Sequence, residues 1–193
     1  MSALQQFKIQ NLKFKIWGKG FTLVELMIAI TIVAIISSIG LVTYSKAQML
    51  GRDAKRKQDL RSIAIALQLY YQTNKRYPCT AGWQESYQNL KPNNWISDTC
   101  AADATLSPQY INQVPVDPMN TGIEPWKGTN YSYIYWSASG FGTCTLQGQN
   151  YILLALLENT NDSDSLGKKL NFPCGVAGFA GWGVSPNSFV ISN

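Results

Sequence analysis

The sequence predicts an α+β protein in which one long N-terminal helix, with a transmembrane half and an amphipathic half, packs on a small antiparallel β-sheet. The first observation is an uncharged run of 20 residues, 26–45, which is the length that a helix needs to cross the hydrocarbon core of a bilayer. The second is that helical spacing of apolar residues continues beyond this run, and no proline occurs between residue 21 and Pro78. The third is a set of short strand-like stretches in the last third of the chain, which favour a sheet covered by the helix.

Residues 1–20 are predicted to be a leader. They carry four lysines and no acidic residue, and they lack the apolar core and small-residue cleavage site of a secretory signal peptide. The basic residues on both sides of the apolar run leave its orientation ambiguous, but the cysteines favour an exported C-terminal part and therefore a cytoplasmic leader. Residues 21–45 are predicted to be the transmembrane helix, 46–77 its amphipathic half, and 78–193 an extracytoplasmic globular domain.

The helix is predicted to span residues 21–73. In its second half, apolar residues recur at spacings of three or four residues or their multiples, with charges between them. The pattern stops at Tyr77-Pro78, because the residue before a proline disfavours the helical conformation. Ser37, Ser38 and Gly40 form the weakest part of the helix and are a candidate bend.

The globular domain is predicted to contain a small sheet and little other regular structure. Residues 78–130 are rich in proline and asparagine and predict an irregular connection with two short helices, near 83–90 and 105–111. The predicted strands are 131–136, 151–157 and 188–191, and the glycine-rich segment 139–149 suits a hairpin loop. Tyr131, Tyr133 and Tyr135 alternate and are expected to pack on one face of the sheet.

Composition argues against several functional classes. Without the leader, the chain has 12 basic and 11 acidic residues, which does not favour a strongly basic nucleic-acid surface. The absence of histidine excludes Ser-His and Cys-His catalysis and histidine-based zinc sites. The protein is therefore not expected to be an enzyme. The alternative from that class is a membrane-anchored hydrolase that uses only Asp and Glu, such as a glycosidase.

Four cysteines lie beyond the apolar run, and none forms a Cys-x-x-Cys pair. An even number in an exported region favours two disulfides. Three pairings are possible, and the preferred one joins neighbours along the chain, Cys79–Cys100 and Cys144–Cys174.

Glu25 is a carboxylate at the membrane-entering end of the apolar helix. Such residues are costly in a membrane, and they are usually paired and functional. The simpler interpretation is an acidic residue favoured by the dipole at a helix start. The sequence around it decides between these two interpretations.

The segment Lys19-Gly20-Phe21-Thr22-Leu23-Val24-Glu25-Leu26-Met27 closely resembles the cleavage and methylation site of bacterial type IV prepilins and type II secretion pseudopilins. The resemblance covers about residues 13–73. A looser similarity to the region that follows the helix in these subunits lies at Pro115-Val116-Asp117-Pro118 and at 131–135.

This resemblance implies a processing and assembly scheme. A prepilin peptidase would cut between Gly20 and Phe21, Phe21 would become the N-methylated terminus, and Glu25 would pair with the Phe21 amine of a neighbouring subunit. It also implies a precursor with its N-terminus in the cytoplasm and its C-terminus outside, held in membrane lipid until assembly machinery of the inner membrane inserts it into a helical polymer of identical subunits. Many pilins have a proline in the membrane half of the helix, whereas this chain has Gly40 and Val42 in that neighbourhood.

Two further sites are considered. The acidic turn at 159–165 offers Asp162 and Asp164 as candidate calcium ligands, as in some pseudopilins, although a plain turn is the simpler interpretation and no other cofactor is expected. The basic residues between Lys46 and Arg61 are typical of a solvated helix face. Their alternative interpretation is an electrostatic stripe that contacts either DNA, through Arg56 and Arg61, or a neighbouring subunit.

The sequence therefore predicts a structural subunit of a type IV pilus that serves motility, adhesion or DNA uptake at the cell surface. The alternative within the same family is the major pseudopilin of a type II secretion system, because both kinds of subunit share every feature of the N-terminal helix.

Overall fold

The computed structural model of the chain describes residues 20–87, 94–100, 105–137, 148–165 and 184–192. In chain order these residues form the helix α1 (Leu23–Asn74), the two-residue strand β1 (Gln84–Glu85), a 3-10 helix (Pro125–Lys127), and the strands β2 (Tyr133–Trp136), β3 (Ile152–Leu156) and β4 (Ser188–Ser192). The strands form one sheet in the order β1-β2-β3-β4, and every neighbouring pair is antiparallel. The predicted α+β class is confirmed.

The chain divides into two compact units, Met1–Thr43 and Tyr44–Asn193, and α1 contributes residues to both. Among the described residues, α1 is long and apolar enough to cross a membrane, and no part of its most apolar stretch is buried. The second unit contains the sheet and the half of α1 that packs on it.

The end of α1 lies one residue beyond its predicted position. Lys75 adopts a left-handed conformation with φ of 58°, and its N–H donates to the carbonyl of Tyr71 at 2.8 Å. A left-handed residue directly after the last helical residue satisfies a carbonyl of the final turn and turns the chain away from the helix axis. Pro78 then prevents the helix from resuming.

The core between α1 and the sheet is apolar and aromatic. Leu60, Ile63 and Leu67 are completely buried on one face of the helix. They belong to the same buried cluster as Tyr133 and Tyr135 of β2, which confirms that these two tyrosines pack on one sheet face. Both hydroxyls find partners: Tyr133 donates to Asp59 at 2.8 Å, and Tyr135 donates to the carbonyl of Pro78 at 2.7 Å. A buried hydroxyl without a partner would cost stability, so these bonds fix where α1 meets the sheet.

The opposite face of the sheet is also covered. Ile134, Ile152 and Leu154 are buried there in a second cluster, against which Trp83 and Trp126 pack. The two indole rings stack with their centroids 5.6 Å apart. Because both faces are covered, every residue of β3 is buried, which explains why the sequence shows an unbroken apolar run at 151–157 in place of alternation.

The prediction of two short helices in the connection is wrong for the residues that the structure describes. Gln84 and Glu85 form an edge strand paired with β2, and residues 88–90 of the first predicted helix lie outside the described part. At 105–111 there is a single turn, in which the amides of Tyr110 and Ile111 both donate to the carbonyl of Leu106. Proline at position 108 and the Ser107 hydroxyl, which donates to the carbonyl of Asn112 at 2.8 Å, compete with helical hydrogen bonds. Part of the predicted hairpin loop, 138–147, also lies outside the described residues.

Strand β1 buries a carboxylate that is only partly satisfied. Glu85 is 6% exposed; its Oε1 accepts from the amide of Glu124 at 3.3 Å, whereas its Oε2 has no hydrogen-bond partner among the described residues. Burial raises the pKa of Glu85 above its ordinary value. Since the folded state then binds the proton more tightly than the unfolded chain, ionising Glu85 costs stability as pH rises through its folded-state pKa.

We therefore expect Glu85→Gln to stabilise the protein at neutral pH by about 1 kcal/mol, since a neutral amide costs less to bury than a carboxylate. The gain should shrink towards pH 4, where the native carboxyl is protonated. Thermal unfolding of the two forms across pH 4–8 measures this difference. A variant that is less stable than the native chain at pH 7 would mean that the Glu85 charge is compensated.

Candidate functional site

The start of α1 is held by a reciprocal pair of side chains, Thr22 and Glu25. The Thr22 hydroxyl accepts from the Glu25 amide at 3.2 Å, and Glu25 Oε2 accepts from both the amide and the hydroxyl of Thr22 at 3.0 Å. This arrangement is a capping box, which satisfies N–H groups that the first helical turn leaves without partners. Glu25 is therefore already engaged by a residue of its own chain.

The sequence interpretation of Glu25 missed this cap. The signal was available, because Thr-x-x-Glu before an apolar run is the sequence signature of a capping box. The cap gives Glu25 a structural role in the isolated chain. That role does not need the residue to lie next to a membrane. It therefore supports the simpler interpretation, in which Glu25 is an acidic residue favoured at a helix start.

Gly20 and Phe21 precede the helix and are exposed. Phe21 is 85% exposed, neither residue is helical, and no heavy atom would lie within 4 Å of a Cβ placed on Gly20. A protease must bind its substrate in an extended form, so the bond between these residues is accessible in the way that cleavage requires.

The first half of α1 exposes its apolar side chains on all sides, both before and after Glu25. The large apolar residues that are at least half exposed in this stretch are Leu23, Val24, Leu26, Met27, Ile28, Ile30, Ile32, Val33, Ile35 and Ile36. A contiguous apolar surface of this size marks a site that contacts lipid or other protein. Among the described residues, none buries the most apolar stretch of this helix.

In the second unit, a buried ionic cluster ties α1 to the loops that flank the sheet. We call Arg52, Asp53, Arg56, Asp117 and Glu158 the Arg56 cluster. The Arg56 guanidinium is fully buried, and it binds Asp117 through two contacts, Nε to Oδ2 at 2.7 Å and Nη2 to Oδ1 at 3.2 Å. Its Nη1 donates to Asp53 at 2.7 Å and to Glu158 at 2.6 Å.

The carboxylates of this cluster also hold backbone amides. Asp53 accepts from the amides of Glu158 and Asn159 at 3.0 and 2.8 Å, and Asp117 accepts from the amide of Met119 at 2.8 Å. Burial by itself would lower the pKa of Arg56, but the bonds and charges of Asp117, Glu158 and Asp53 outweigh it and raise the pKa. Hydrogen bonds from Arg52 and Arg56 hold the pKa of Glu158 below its ordinary value against the opposing effect of burial.

This cluster corrects one alternative for the basic residues. Arg56 cannot contact DNA, because its side chain is completely buried and saturated by carboxylates, and its guanidinium lies 4.6 Å from the centre of the Tyr131 ring. Arg61 and Lys46 are exposed, as the solvated-face interpretation predicts. Sequence alone could not separate these residues, since charge and spacing are the same for a buried and an exposed arginine.

Asp162 and Asp164, the candidate calcium ligands, lie beside a lysine of α1. Lys57 Nζ is 2.5 Å from Asp162 Oδ1 and 3.0 Å from Asp164 Oδ2. Both carboxylates thus already share a cation supplied by the chain, and a calcium ion would have to displace it. Among the residues that the structure describes, this arrangement fits a salt bridge better than a calcium site, and calcium binding stays a prediction.

Cys79 and Cys100 form a disulfide, with their Cα atoms 5.6 Å apart. The pair is one of the two that were preferred from the sequence. The second preferred pair, Cys144–Cys174, lies outside the described residues. The buried carboxylate of Asp98 accepts from the amides of both half-cystines, Cys79 at 3.1 Å and Cys100 at 2.8 Å.

Two comparisons with known proteins found a similarity. The sequence profile of the prokaryotic N-terminal methylation motif matches residues 19–41. The chain is also similar to the type II secretion system core protein G of Pseudomonas aeruginosa (strain PAO1), with 28% identity over 120 residues, which cover 60% of this chain and 72% of that protein. No solved structure is significantly similar to the chain.

Proposed function

Because its N-terminal motif and its relative both support membership of the type IV pilin and pseudopilin family, we propose that this chain is a structural subunit of a helical filament. The observation that carries the proposal is the helix of the first unit, whose large apolar side chains are exposed on all sides. In the precursor, lipid would cover this surface, and in the filament the helices of neighbouring copies would replace the lipid. The role is structural, not enzymatic.

The exposed peptide bond between Gly20 and Phe21 is the proposed cleavage site of a prepilin peptidase. The leader carries its lysines on the cytoplasmic side, and cleavage there removes charges that would otherwise enter the apolar filament core. Phe21 then supplies the new N-terminus, which the family motif implies to be methylated. The domain that carries the disulfide lies outside the cytoplasm in this scheme, which agrees with the compartments where disulfides persist.

Glu25 would change partners during assembly. In the isolated chain its carboxylate accepts from Thr22, and these bonds satisfy it only as a helix cap. In a filament, the Phe21 amine of the adjoining subunit would offer a full positive charge. An ion pair in a medium of low dielectric constant is far stronger than in water, and either charge left alone would be penalised. The pair would therefore set the axial position of each new subunit.

Analysis of the N-terminus tests the processing scheme. Filaments are sheared from cells that produce the chain, and the subunits are examined by mass spectrometry. We expect an N-methylated Phe21 terminus in every filament subunit. Filaments built from chains that begin at Met1 or Ser2 would contradict the proposal.

Within this family we propose a surface pilus, and the pseudopilus of a type II secretion system is the second candidate. The named relative favours the second candidate, because it is a core protein of such a secretion system. Deleting the gene separates the two. Loss of surface filaments with intact protein secretion supports the pilus. Retained surface filaments together with failed secretion support the pseudopilus.

A DNA-uptake role remains a narrower version of the pilus proposal. Since Arg56 is buried, exposed cations such as Lys46 and Arg61 would have to make the contact. Filaments carrying Arg61→Gln should then retain less DNA at low salt than native filaments, and the difference should vanish at high salt. Equal retention by both would leave the pilus proposal intact but remove the role of Arg61 in DNA binding.

A further inference from the structure

We propose that the Cys79–Cys100 disulfide forms and breaks through Cys100, which is the sulfur that exchanges with an external disulfide or thiol. Cys79 is the internal sulfur, and Arg76 positions it. The external reactant is a reactive disulfide, either on a protein oxidoreductase or in a small molecule such as glutathione disulfide. This inference goes beyond the filament role and does not depend on it.

The two half-cystines differ in access. Cys79 is 3% exposed, whereas Cys100 is an exposed residue. Gly148 lies against Cys79, since a Cβ added there would be 3.5 Å from Cys79 Sγ and 3.2 Å from the carbonyl oxygen of Tyr77. Thiol–disulfide exchange needs an incoming sulfur to reach the sulfur that it attacks. In the folded chain an external reactant can meet this requirement at Cys100 and not at Cys79.

The two sulfurs also differ in their charged neighbours. Arg76 Nη1 donates to Cys79 Sγ at 3.1 Å, and the same nitrogen is held by Asp98 Oδ2 at 2.7 Å. A guanidinium next to a sulfur stabilises its thiolate. Asp98 anchors Arg76 while its other oxygen, Oδ1, accepts from the two cysteine amides, so the carboxylate holds both cysteines and the arginine in one arrangement.

This arrangement suits exchange better than metal binding. Cys79, Cys100 and Asp98 lie close enough for a reduced form to offer three ligands, with their ligand atoms within 4.8 Å of one another. However, Asp98 Oδ2 already accepts from Tyr70 at 2.5 Å and from Arg76, and the adjacent guanidinium repels a second cation. Burial works to raise the pKa of Asp98, but hydrogen bonds from Arg76, Tyr70 and the two cysteine amides lower it, so the carboxylate is already fully engaged.

The proposed steps balance as follows. The Cys100 thiolate attacks one sulfur of the external disulfide, forms a mixed disulfide and releases the other sulfur as a thiolate. Cys79 loses its proton to solvent, and its thiolate attacks Cys100 Sγ. The Cys79–Cys100 bond forms while the bond from Cys100 to the external sulfur breaks, and a second thiolate leaves. Two electrons pass from the protein dithiol to the external disulfide, and reduction follows the same path in reverse.

Single-cysteine variants test the direction. Full-length Cys79→Ser and Cys100→Ser chains, reduced in detergent, are exposed separately to glutathione disulfide and to an oxidised protein oxidoreductase. Peptide mass spectrometry locates each adduct after cleavage at the aromatic residues between positions 79 and 100. We expect adducts on Cys100 to form at least about tenfold faster than adducts on Cys79, and the difference to disappear in denaturant, where both sulfurs are accessible. Whichever of the two oxidants reacts, glutathione disulfide or the oxidoreductase, identifies the source of the external disulfide. Faster reaction at Cys79 in the folded chain, in either arm, would overturn the proposal.

The pH dependence of ring closure tests Arg76. Closure of the Cys100–glutathione mixed disulfide is followed after a pH jump in the native chain, Arg76→Gln, Arg76→Lys and Tyr70→Phe. We expect the midpoint of Arg76→Gln to rise by about one pH unit, which slows closure about tenfold below the midpoint. Arg76→Lys should keep the native profile because it keeps the charge, and so should Tyr70→Phe, which removes a bond to Asp98 but no bond to Cys79. A native profile in Arg76→Gln would exclude a role for Arg76 in closure.

Discussion

Glu25→Ala should strongly impair filament formation while leaving cleavage after Gly20 unchanged. Without the carboxylate, the Phe21 amine of an incoming subunit has no charged partner in the apolar filament core, and an unpaired charge there is strongly penalised. Cell-surface filaments are counted by electron microscopy, and the processed chain is quantified by mass spectrometry of the membrane fraction. We expect filament yield to fall at least about tenfold, since a single unpaired buried charge costs about 3–5 kcal/mol.

Two matched variants separate the charge of Glu25 from its role as a helix cap. Thr22→Ala removes the two bonds of the Thr22 hydroxyl but keeps the carboxylate and the bond from the residue 22 amide, and it should reduce filament yield only modestly, in line with a cap worth about 1 kcal/mol. Glu25→Gln keeps an acceptor for Thr22 but removes the charge, and it should behave like Glu25→Ala. If Thr22→Ala loses filaments and Glu25→Gln keeps them, Glu25 acts as a cap and the charge-pairing proposal is wrong.

Arg56→Met should destabilise the second unit by about 3–5 kcal/mol, because it leaves the buried carboxylates of Asp53 and Asp117 without their cation. Glu158 would lose less stabilisation than these two carboxylates, since Arg52 still pairs with it at 2.6 Å. Thermal unfolding of the full-length chain in detergent, followed by near-UV circular dichroism, should show a midpoint lowered by about 10 °C.

Two further variants serve as controls for the Arg56 cluster. Arg61→Met removes an exposed arginine from the same helix and should change the free energy of unfolding by less than about 0.5 kcal/mol. Arg56→Lys keeps a charge but cannot reproduce the two-point contact with Asp117, so its stability should lie between that of the native chain and that of Arg56→Met. If Arg56→Met is as stable as Arg61→Met, the cluster does not hold α1 to the loops.

Much of the fold could be predicted from periodicity. The long helix and the strands β2, β3 and β4 were all predicted within two residues of their ends, because each depends on a local pattern of apolar residues. Strand β1 was not, since Gln84 and Glu85 carry no strand signal of their own. They form a strand only because they pair with Tyr135 and Ile134 at the edge of β2.

For the candidate site, too, the features that depend on neighbouring residues could be predicted, and those that depend on distant residues could not. Gly20, Phe21 and Glu25 could be predicted as site residues because the motif is contiguous, and the capping box with Thr22 could have been predicted from the same segment. The Arg56 cluster could not be predicted from the sequence, because Asp117 lies 61 positions and Glu158 lies 102 positions from Arg56 in the chain. The asymmetry of the disulfide was hidden for the same reason, since burial of Cys79 depends on contacts with the distant residue Gly148.

The sequence by itself determined the membrane-length helix, its N-terminal methylation motif, the position of Glu25 and the class of the fold, because each of these depends on residues that are neighbours in the chain. Only the tertiary structure decided which charges are buried, which cysteine faces solvent, and that Lys57 already pairs with Asp162 and Asp164. Such properties depend on residues brought together across the sheet and α1. Burial and partners set the energy of a charge far more than its residue type does.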